Sequence, residues 1–483
     1  MNILMAASEA VPFAKTGGLA DVVGSLPKEL HSNKVNVRVI LPKYGAISEE
    51  FVDKIQYKTS ITVKVGWREQ YCGIEELIYN GVHFYFIDNK YYFNRDKLYG
   101  FYDEAERFAF FSRAVLEAIP YLDYQPDVIH CHDWQTALIS VFLKTQYSQK
   151  QLYENIKTVL TIHNLKFQGI YPREILGDLL SLGSEHFTSE SLEFYGNVNY
   201  LKGGIIYSDI VTTVSKTYAE EITYSYFGEN LEGVLRRQGR IIGIINGIDY
   251  ELYNSSTDSQ IFYQYDSTSP DKKLTNKEAL QNYLGLPVDK DIPVLAIISR
   301  LTSQKGLDLV QGVFDELLAE GIQLVILGTG EEEYEQLFRK ADEQYPNQVK
   351  ALIKFDEGLA RKVYAGSDMF LMPSKFEPCG LSQLISLRYG TIPIVRETGG
   401  LKDTIKGYDE ISNTGNGFSF INYNAHDMLY TIQRAVSLYQ DKKHWNKLIK
   451  NAMDSDFSWE AAAKEYLNLY SELIGGSAID VNK

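Results

Sequence analysis

The chain is poor in cysteine. It has three in 483 residues, and none of Cys72, Cys131 and Cys379 stands in a Cys-x-x-Cys pair. That spacing argues against a thiolate zinc site and a disulfide framework, and it suits a reducing cytoplasm. Positive charge is also short, with 48 Lys and Arg against 63 Asp and Glu, a net charge of −15. Such a surface has no general attraction for nucleic acid or an anionic membrane, so any phosphate site must be built locally. No run of eighteen apolar residues occurs, and the opening Met1-Asn2-Ile3-Leu4-Met5 has no basic flank and meets Glu9 within a few residues. Neither a membrane span nor a signal peptide is therefore expected, and the expected location is the cytoplasm. Tandem repeats and low-complexity tracts are absent as well.

What is present is an ordinary globular composition, with 45% hydrophobic residues, in a chain long enough for two or three domains. Short apolar runs alternate with amphipathic ones. The runs Ile3 to Ala7, Val37 to Leu41, Val82 to Ile87, Asp127 to Cys131, Thr158 to Ile162, Ile210 to Val214 and Ile241 to Ile245 read as strands. Helical patterns such as Glu104 to Ile119 and Trp134 to Gln146 separate them. This βαβα order predicts an α/β fold with a parallel sheet covered on both faces. Ser60 to Tyr92, with its Asn80-Gly81 turn, reads instead as antiparallel hairpins on the sheet edge. From Ile248 to Pro293 the pattern stops, as in an interdomain connection. It resumes with strands at Pro293 to Ser299, Gln323 to Leu327, Val349 to Phe355, Met369 to Met372 and Ile392 to Val395, and with helices at Gly306 to Ala319 and Asp356 to Ala365.

Four polar clusters follow strands. Lys15-Thr16-Gly17-Gly18 lies between the first strand and a helix, where glycine amides, the helix dipole and a lysine together suit a phosphate. Arg300 and Lys305 flank the next such junction as an anion clamp. In Glu377-Pro378-Cys379-Gly380-Leu381-Ser382 the carboxylate can hold sugar hydroxyls, and the amides of Gly380, Leu381 and Ser382 can face a phosphate. Thr398-Gly399-Gly400 makes a further glycine turn. Gly328-Thr329-Gly330 differs from these: a dinucleotide fingerprint needs a third glycine at 333, where Glu331-Glu332-Glu333 stands, so its glycines read as structural. His130 and His132 share a strand face without a third ligand at metal-site spacing, so no metal is expected.

Taken in order, these motifs resemble the bacterial glycogen (starch) synthases of the GT-B glycosyltransferases. The match includes His130-Cys131-His132-Asp133-Trp134, Thr161-Ile162-His163-Asn164, Ile245-Asn246-Gly247-Ile248-Asp249 and Ser299 to Gly306, and it covers nearly the whole chain. The resemblance implies two Rossmann-like domains facing across a deep interdomain cleft: residues 1–245 on the acceptor side, 246–458 on the nucleotide-sugar side, and a C-terminal helix within 459–483 crossing back to the first. It also implies retaining transfer of glucose from ADP-glucose to the non-reducing 4-hydroxyl of an α-1,4-glucan, without metal or cofactor and without nucleic-acid or membrane partners.

In that reading His163, Arg300, Lys305 and Glu377 are catalytic. Lys15, Gly17, Gly18, Asn246, Phe355, Gly380, Leu381, Ser382, Thr398 and Gly399 bind the donor, and Asp21 and Asp133 are candidate sugar or acceptor contacts. Phe355 stands where the family often has tyrosine and keeps a face for stacking on adenine. The Glu-x7-Glu pattern of other retaining GT-B enzymes would place a carboxylate at 385, where Ile385 stands. Two other readings stay open: another nucleotide-sugar-dependent GT-B glucosyltransferase, and a non-catalytic glucan-binding relative.

Overall fold

The computed structural model describes residues 1–475, so the last part of the expected segment 459–483 lies outside the described residues. The chain divides into two compact units, Met1–Gly247 with the segment from Trp459, and Ile248–Ser458. The division falls after Gly247 instead of after residue 245. Ile244 donates its N–H to Thr213 O in the first unit (2.9 Å), whereas Ile248 donates to Phe457 O in the second (3.0 Å). Asn246, read from the sequence as part of the nucleotide-sugar domain, thus belongs to the first unit.

The first unit is built on strands β1 (Asn2–Ala6), β2 (Asn36–Pro42), β3 (Gln56–Val65), β4 (Arg68–Tyr79), β5 (Val82–Asp88), β6 (Val128–His132) and β7 (Lys157–Ile162). Three short strands, β8 (Ile170–Pro172), β9 (Glu193–Phe194) and β10 (Asn197–Asn199), form a separate small sheet, and β11 (Ile210–Thr213) and β12 (Ile242–Gly243) complete the large one. Its order is β12-β11-β7-β6-β1-β2-β5-β4-β3. Every pair is parallel except β3–β4 and β4–β5 at the edge. The turn between β4 and β5 uses Asn80 and Gly81 at φ 49° and 79°, the left-handed pair that a tight hairpin requires. Ile3, Leu4, Met5 and Ala6 of β1 are all fully buried, as expected of a central strand covered on both faces.

The helix Trp459–Leu473 packs against the helix Gly18–Ser32. Its Trp459, Ala462, Ala463, Tyr466, Leu467 and Tyr470 recur at helical spacing and lie in the core of the first unit.

The second unit is a six-stranded, wholly parallel sheet of β13 (Val294–Ile298), β14 (Gln323–Leu327), β15 (Val349–Leu352), β16 (Met369–Met372), β17 (Ile392–Arg396) and β18 (Phe418–Phe420). Its order is β15-β14-β13-β16-β17-β18. This is the 3-2-1-4-5-6 order of a doubly wound sheet, and the parallel part of the first sheet repeats it with one strand added. In such sheets ligands bind beyond the strand C-termini where the order reverses, here at β1/β6 and at β13/β16.

The stretch from Ile248 to Pro293, expected to be an interdomain connection, contains the 15-residue helix Pro270–Leu284. Its inward stripe carries polar groups, which hides it from hydrophobic periodicity. Buried Lys273 donates to Ala365 O (3.0 Å), Ser367 O (2.9 Å) and Thr391 Oγ1 (2.9 Å), and buried Lys277 pairs with Asp368 (2.8 Å). Asn276 and Gln281, also buried, donate to Tyr263 O (2.7 Å) and Gln323 Oε1 (2.9 Å).

Candidate active site

At the first switch point, β1 runs into a loop that a buried carboxylate holds. Glu9 accepts from the Thr16 N–H, from Thr16 Oγ1 (2.7 Å) and from the Tyr99 hydroxyl (2.7 Å). The loop so pinned presents Lys15, Thr16, Gly17 and Gly18 to the exterior. Lys15 Nζ pairs with Asp21 Oδ1 at 2.9 Å, joining two residues nominated for different roles. Gly17 precedes the helix Gly18–Ser32 at φ −159° and offers no side-chain cap, which leaves the first-turn amides to other partners. A Cβ on Gly17 would meet nothing within 4 Å, so neither backbone conformation nor packing demands glycine there.

On the other side of the switch point β6 is followed by Asp133, whose φ 57° and ψ −173° lie in a region almost reserved for glycine. Holding it there costs about 1–3 kcal/mol, the kind of strain that clusters at functional sites. Its carboxylate accepts from the N–H of His163 (2.7 Å) and of Asn164 (3.4 Å), which ties the end of β7 to the end of β6. Burial pushes the Asp133 carboxyl up to about 7, against the pull of those two amides. Burial likewise pushes the His163 imidazole down to about 3, so the ring is neutral at physiological pH. His163 Nε2 lies 3.0 Å from His132 Nδ1. Asn246 is buried, and its Oδ1 has no partner among the described residues.

In the second unit the loop after β13 carries Arg300 and Lys305. The Arg300 side chain is exposed and makes no hydrogen bond or ion pair among the described residues. Lys305 Nζ lies 2.6 Å from Glu377 Oε2, which also accepts from Ser374 Oγ (3.0 Å). Backbone contact fixes this pairing: Gly306, at φ 72°, lies so close to Pro373 that a Cβ would fall 2.0 Å from its carbonyl oxygen. Lys375 donates its N–H to Gln304 O at 2.9 Å. Arg396 braces the same loop by donating to Ser374 O (2.8 Å) and Lys375 O.

The turn 377–380 packs on the turn 398–401. Gly399 has φ 44°, and a Cβ there would lie 2.0 Å from Glu377 O. Gly380, at φ 75°, and half-buried Leu381 and Ser382 lead into the helix Ser382–Arg388, and Thr398 is buried beside them. Phe355 follows β15 and is 80% exposed, its ring without a stacking partner among the described residues. Gly328 and Gly330 serve the backbone: Cβ atoms there would fall 1.9 Å from Ser299 O and 2.2 Å from Leu301 O.

The structure therefore brings together His163 with Asp133, Lys15 with Asp21, and Lys305 with Glu377, and it sets each pair beyond strand C-termini. The comparisons with known proteins agree in kind. A family model described as starch synthase catalytic domain matches residues 2–237, and one described as glycosyl transferases group 1 matches residues 285–454. A glycogen synthase of Anoxybacillus flavithermus is 54% identical over the full length of both chains.

The chain belongs to the glycogen synthase family.

A second glycogen synthase, from Bacillus cereus, is 57% identical over 98% of this chain and all of its own. The solved catalytic domain of starch synthase IV from Arabidopsis thaliana, bound to ADP and acarbose, is 34% identical over 98% of this chain and 99% of that one, with a TM-score of 0.90. Membership of the glycogen synthase family makes the chain a glycosyltransferase of GT-B fold with two α/β domains. No helix among the described residues is long and apolar enough to cross a membrane.

Several residues that shape these sites were not singled out from the sequence. Glu9 and Tyr99 pin the glycine loop, and Ser374 and Arg396 position Glu377 and its loop; His132, weighed from the sequence only as a metal ligand, meets His163. A carboxylate three residues past an apolar strand was the one local signal for Glu9. Ser374 lies only three residues from Glu377, whereas Tyr99, Arg396 and His132 act through partners more distant in the chain.

Proposed function

We propose that this protein transfers glucose from ADP-glucose to the non-reducing 4-hydroxyl of an α-1,4-glucan with retained configuration, elongating glycogen. The observation that carries this reading is the Lys305–Glu377 pair at the switch point of a doubly wound sheet, on the same loop as Arg300, whose side chain has no partner among the described residues. Cleavage of the glycosidic phosphate bond puts positive charge on the sugar carbon and negative charge on the departing diphosphate. Preorganised cations at that diphosphate are the main catalytic resource, each worth about 2.7–4 kcal/mol where such donors have been removed.

Arg300 and Lys305 fill that role, with the amides of Gly380, Leu381 and Ser382 and the turn at Thr398 and Gly399 as further phosphate contacts. Glu377 uses Oε2 for Lys305 and Ser374, so Oε1 remains for a sugar hydroxyl. A carboxylate so engaged is a poor nucleophile, and Ile385 offers no second carboxyl. Retention then follows from front-face transfer, in which the leaving phosphate oxygen takes the proton of the attacking 4-hydroxyl. Neutral His163 contributes a hydrogen bond to the sugar and is not an acid catalyst. Lys15, Gly17, Gly18 and Asn246 are further donor contacts, Asp21 and Asp133 supply sugar or acceptor contacts, and Phe355 stacks on the adenine. Three buried thiols without a disulfide suit the reducing cytoplasm.

The test is to incubate the protein with glycogen and labelled ADP-glucose or UDP-glucose and follow label into polymer. Incorporation from ADP-glucose is expected. No incorporation from either donor overturns the reading, and strong preference for UDP-glucose overturns the donor assignment.

A further inference from the structure

β6 presents two histidines to one face, and the helix Trp459–Leu473 packs on the first of them, His130. His130 Nδ1 lies 2.7 Å from the Tyr470 hydroxyl, and its Nε2 lies 2.6 Å from Thr161 Oγ1, which in turn lies 2.6 Å from Thr212 Oγ1. His130 therefore has both ring nitrogens engaged. His132 stacks on it, with ring centroids 4.2 Å apart and planes tilted by 32°. The other side of the His132 ring leads to His163, Nδ1 to Nε2 at 3.0 Å. His132 Nε2 is buried and has no partner among the described residues.

We infer that His132 is a positioning residue that decides which nitrogen of His163 carries the proton, so that His163 presents an Nδ1–H donor to its ligand. A neutral imidazole has one N–H and one lone pair. Burial and the neighbouring imidazoles hold His132 well below the usual histidine range, and burial holds His163 low, so both rings are neutral. If the His132 proton sat on Nε2, it would be a buried donor without an acceptor, a rarer and costlier arrangement than a lone pair left unused. The proton therefore sits on Nδ1 and is donated to His163 Nε2. His163 accepts with its Nε2 lone pair, which places its own proton on Nδ1. That nitrogen has no partner among the described residues.

Orientation is fixed from behind. His130 is held by Tyr470 and Thr161, and its ring braces that of His132. The C-terminal helix thus acts on the tautomer of His163 through two rings. The tautomer assignment stands independently of the proposed reaction, whereas its catalytic meaning rests on that reading. The titratable groups around His163 include His130, His132 and Asp133 from β6 and its end, Tyr466 and Tyr470 from the helix, and Tyr218, whose hydroxyl accepts from the Leu165 N–H.

The experiment is long-range proton–nitrogen NMR on the full chain labelled with 15N-histidine, combined with initial rates for wild type, His132→Asn and His132→Phe. Asn keeps an N–H where His132 has Nδ1, whereas Phe keeps the stacked ring and loses the donor. In wild type, His163 is expected as the Nδ1–H tautomer, neutral down to pH 5. His132→Phe should release that preference and lower kcat by about 10–100-fold with KM for ADP-glucose little changed. His132→Asn should recover most of the tautomer preference and of kcat. An Nε2–H tautomer of His163 in the wild type, or equal behaviour of the Asn and Phe variants, overturns the inference. If no transfer activity is found, the NMR result decides the tautomer alone.

Discussion

Lys305 Nζ and Glu377 Oε2 lie 2.6 Å apart across 72 positions of sequence, so the cation and the carboxylate nominated from separate motifs hold each other in place. The pair is partly buried and further tied by Ser374. A ligand phosphate approaching Lys305 meets an ammonium whose position is already fixed by a carboxylate, which is the preorganisation that leaving-group stabilisation requires.

Replacing the lysine tests this most directly. Lys305→Ala should lower kcat for transfer from ADP-glucose to glycogen by about 10²–10³-fold, the loss typical of one preorganised donor, while far-UV circular dichroism stays that of the wild type. Near-normal turnover would show the clamp to be misassigned.

Gly17 separates a ligand contact from a turn requirement. Alanine fits its backbone at φ −159° and meets no atom within 4 Å. Gly17→Ala should therefore change stability by less than about 0.5 kcal/mol and raise KM for ADP-glucose by about tenfold, or about 1.4 kcal/mol. Gly399→Ala is the contrasting control, since a Cβ there collides with Glu377 O and forces a φ of 44° on alanine. A large loss of melting temperature in Gly17→Ala, or an unchanged KM, would return the motif to a simple turn.

Phe355 projects with 80% of its surface exposed, so removing it costs the fold little. Loss of an aromatic platform from a stacked base costs roughly 1–3 kcal/mol. Phe355→Ala should accordingly raise KM for ADP-glucose with an unchanged thermal midpoint, and Phe355→Tyr should restore it. Isothermal titration with ADP reads the same difference without turnover.

Lys273 carries a prediction about pH and stability. Burial lowers its ammonium to about 7 from an unfolded value of 10.5. Between those values the unfolded chain binds the proton and the folded one does not, so this group makes unfolding free energy rise with pH over that window. Below pH 7 both states are protonated, and the contribution is flat. Urea titrations at pH 7, 8 and 9 should show a shallower rise, or a steeper fall, in Lys273→Met than in the wild type, whatever the overall cost of the substitution. Parallel profiles would mean that Lys273 stays charged in its carbonyl cage.

Much of the sheet framework was legible because strands buried on both faces read as short apolar runs. β14 and β16 match the sequence reading at both ends, and the antiparallel edge follows from the Asn80-Gly81 turn. The helix Pro270–Leu284 was not legible, because its buried stripe is built from Lys273, Asn276, Lys277 and Gln281, whose polar atoms are satisfied only by partners remote in sequence. The helix expected over Gly306 to Ala319 is broken at Val313 into Leu307–Gly312 and Phe314–Ala319, directly after Gly312, whose place inside the helical pattern was the local signal.

The sequence by itself determined the alternation of strands and helices, the glycine turns after strands and the residue types available for phosphate and sugar, since each depends on neighbours a few positions away. Tertiary structure decided the rest. The order in which strands pair places β1 beside β6 and β13 beside β16, and so creates the two switch points. It sets Lys305 against Glu377 and His132 against His163, pairs that exist only because distant strands lie side by side with their C-termini at one edge, and it brings Tyr99 to Glu9 across 90 positions of sequence.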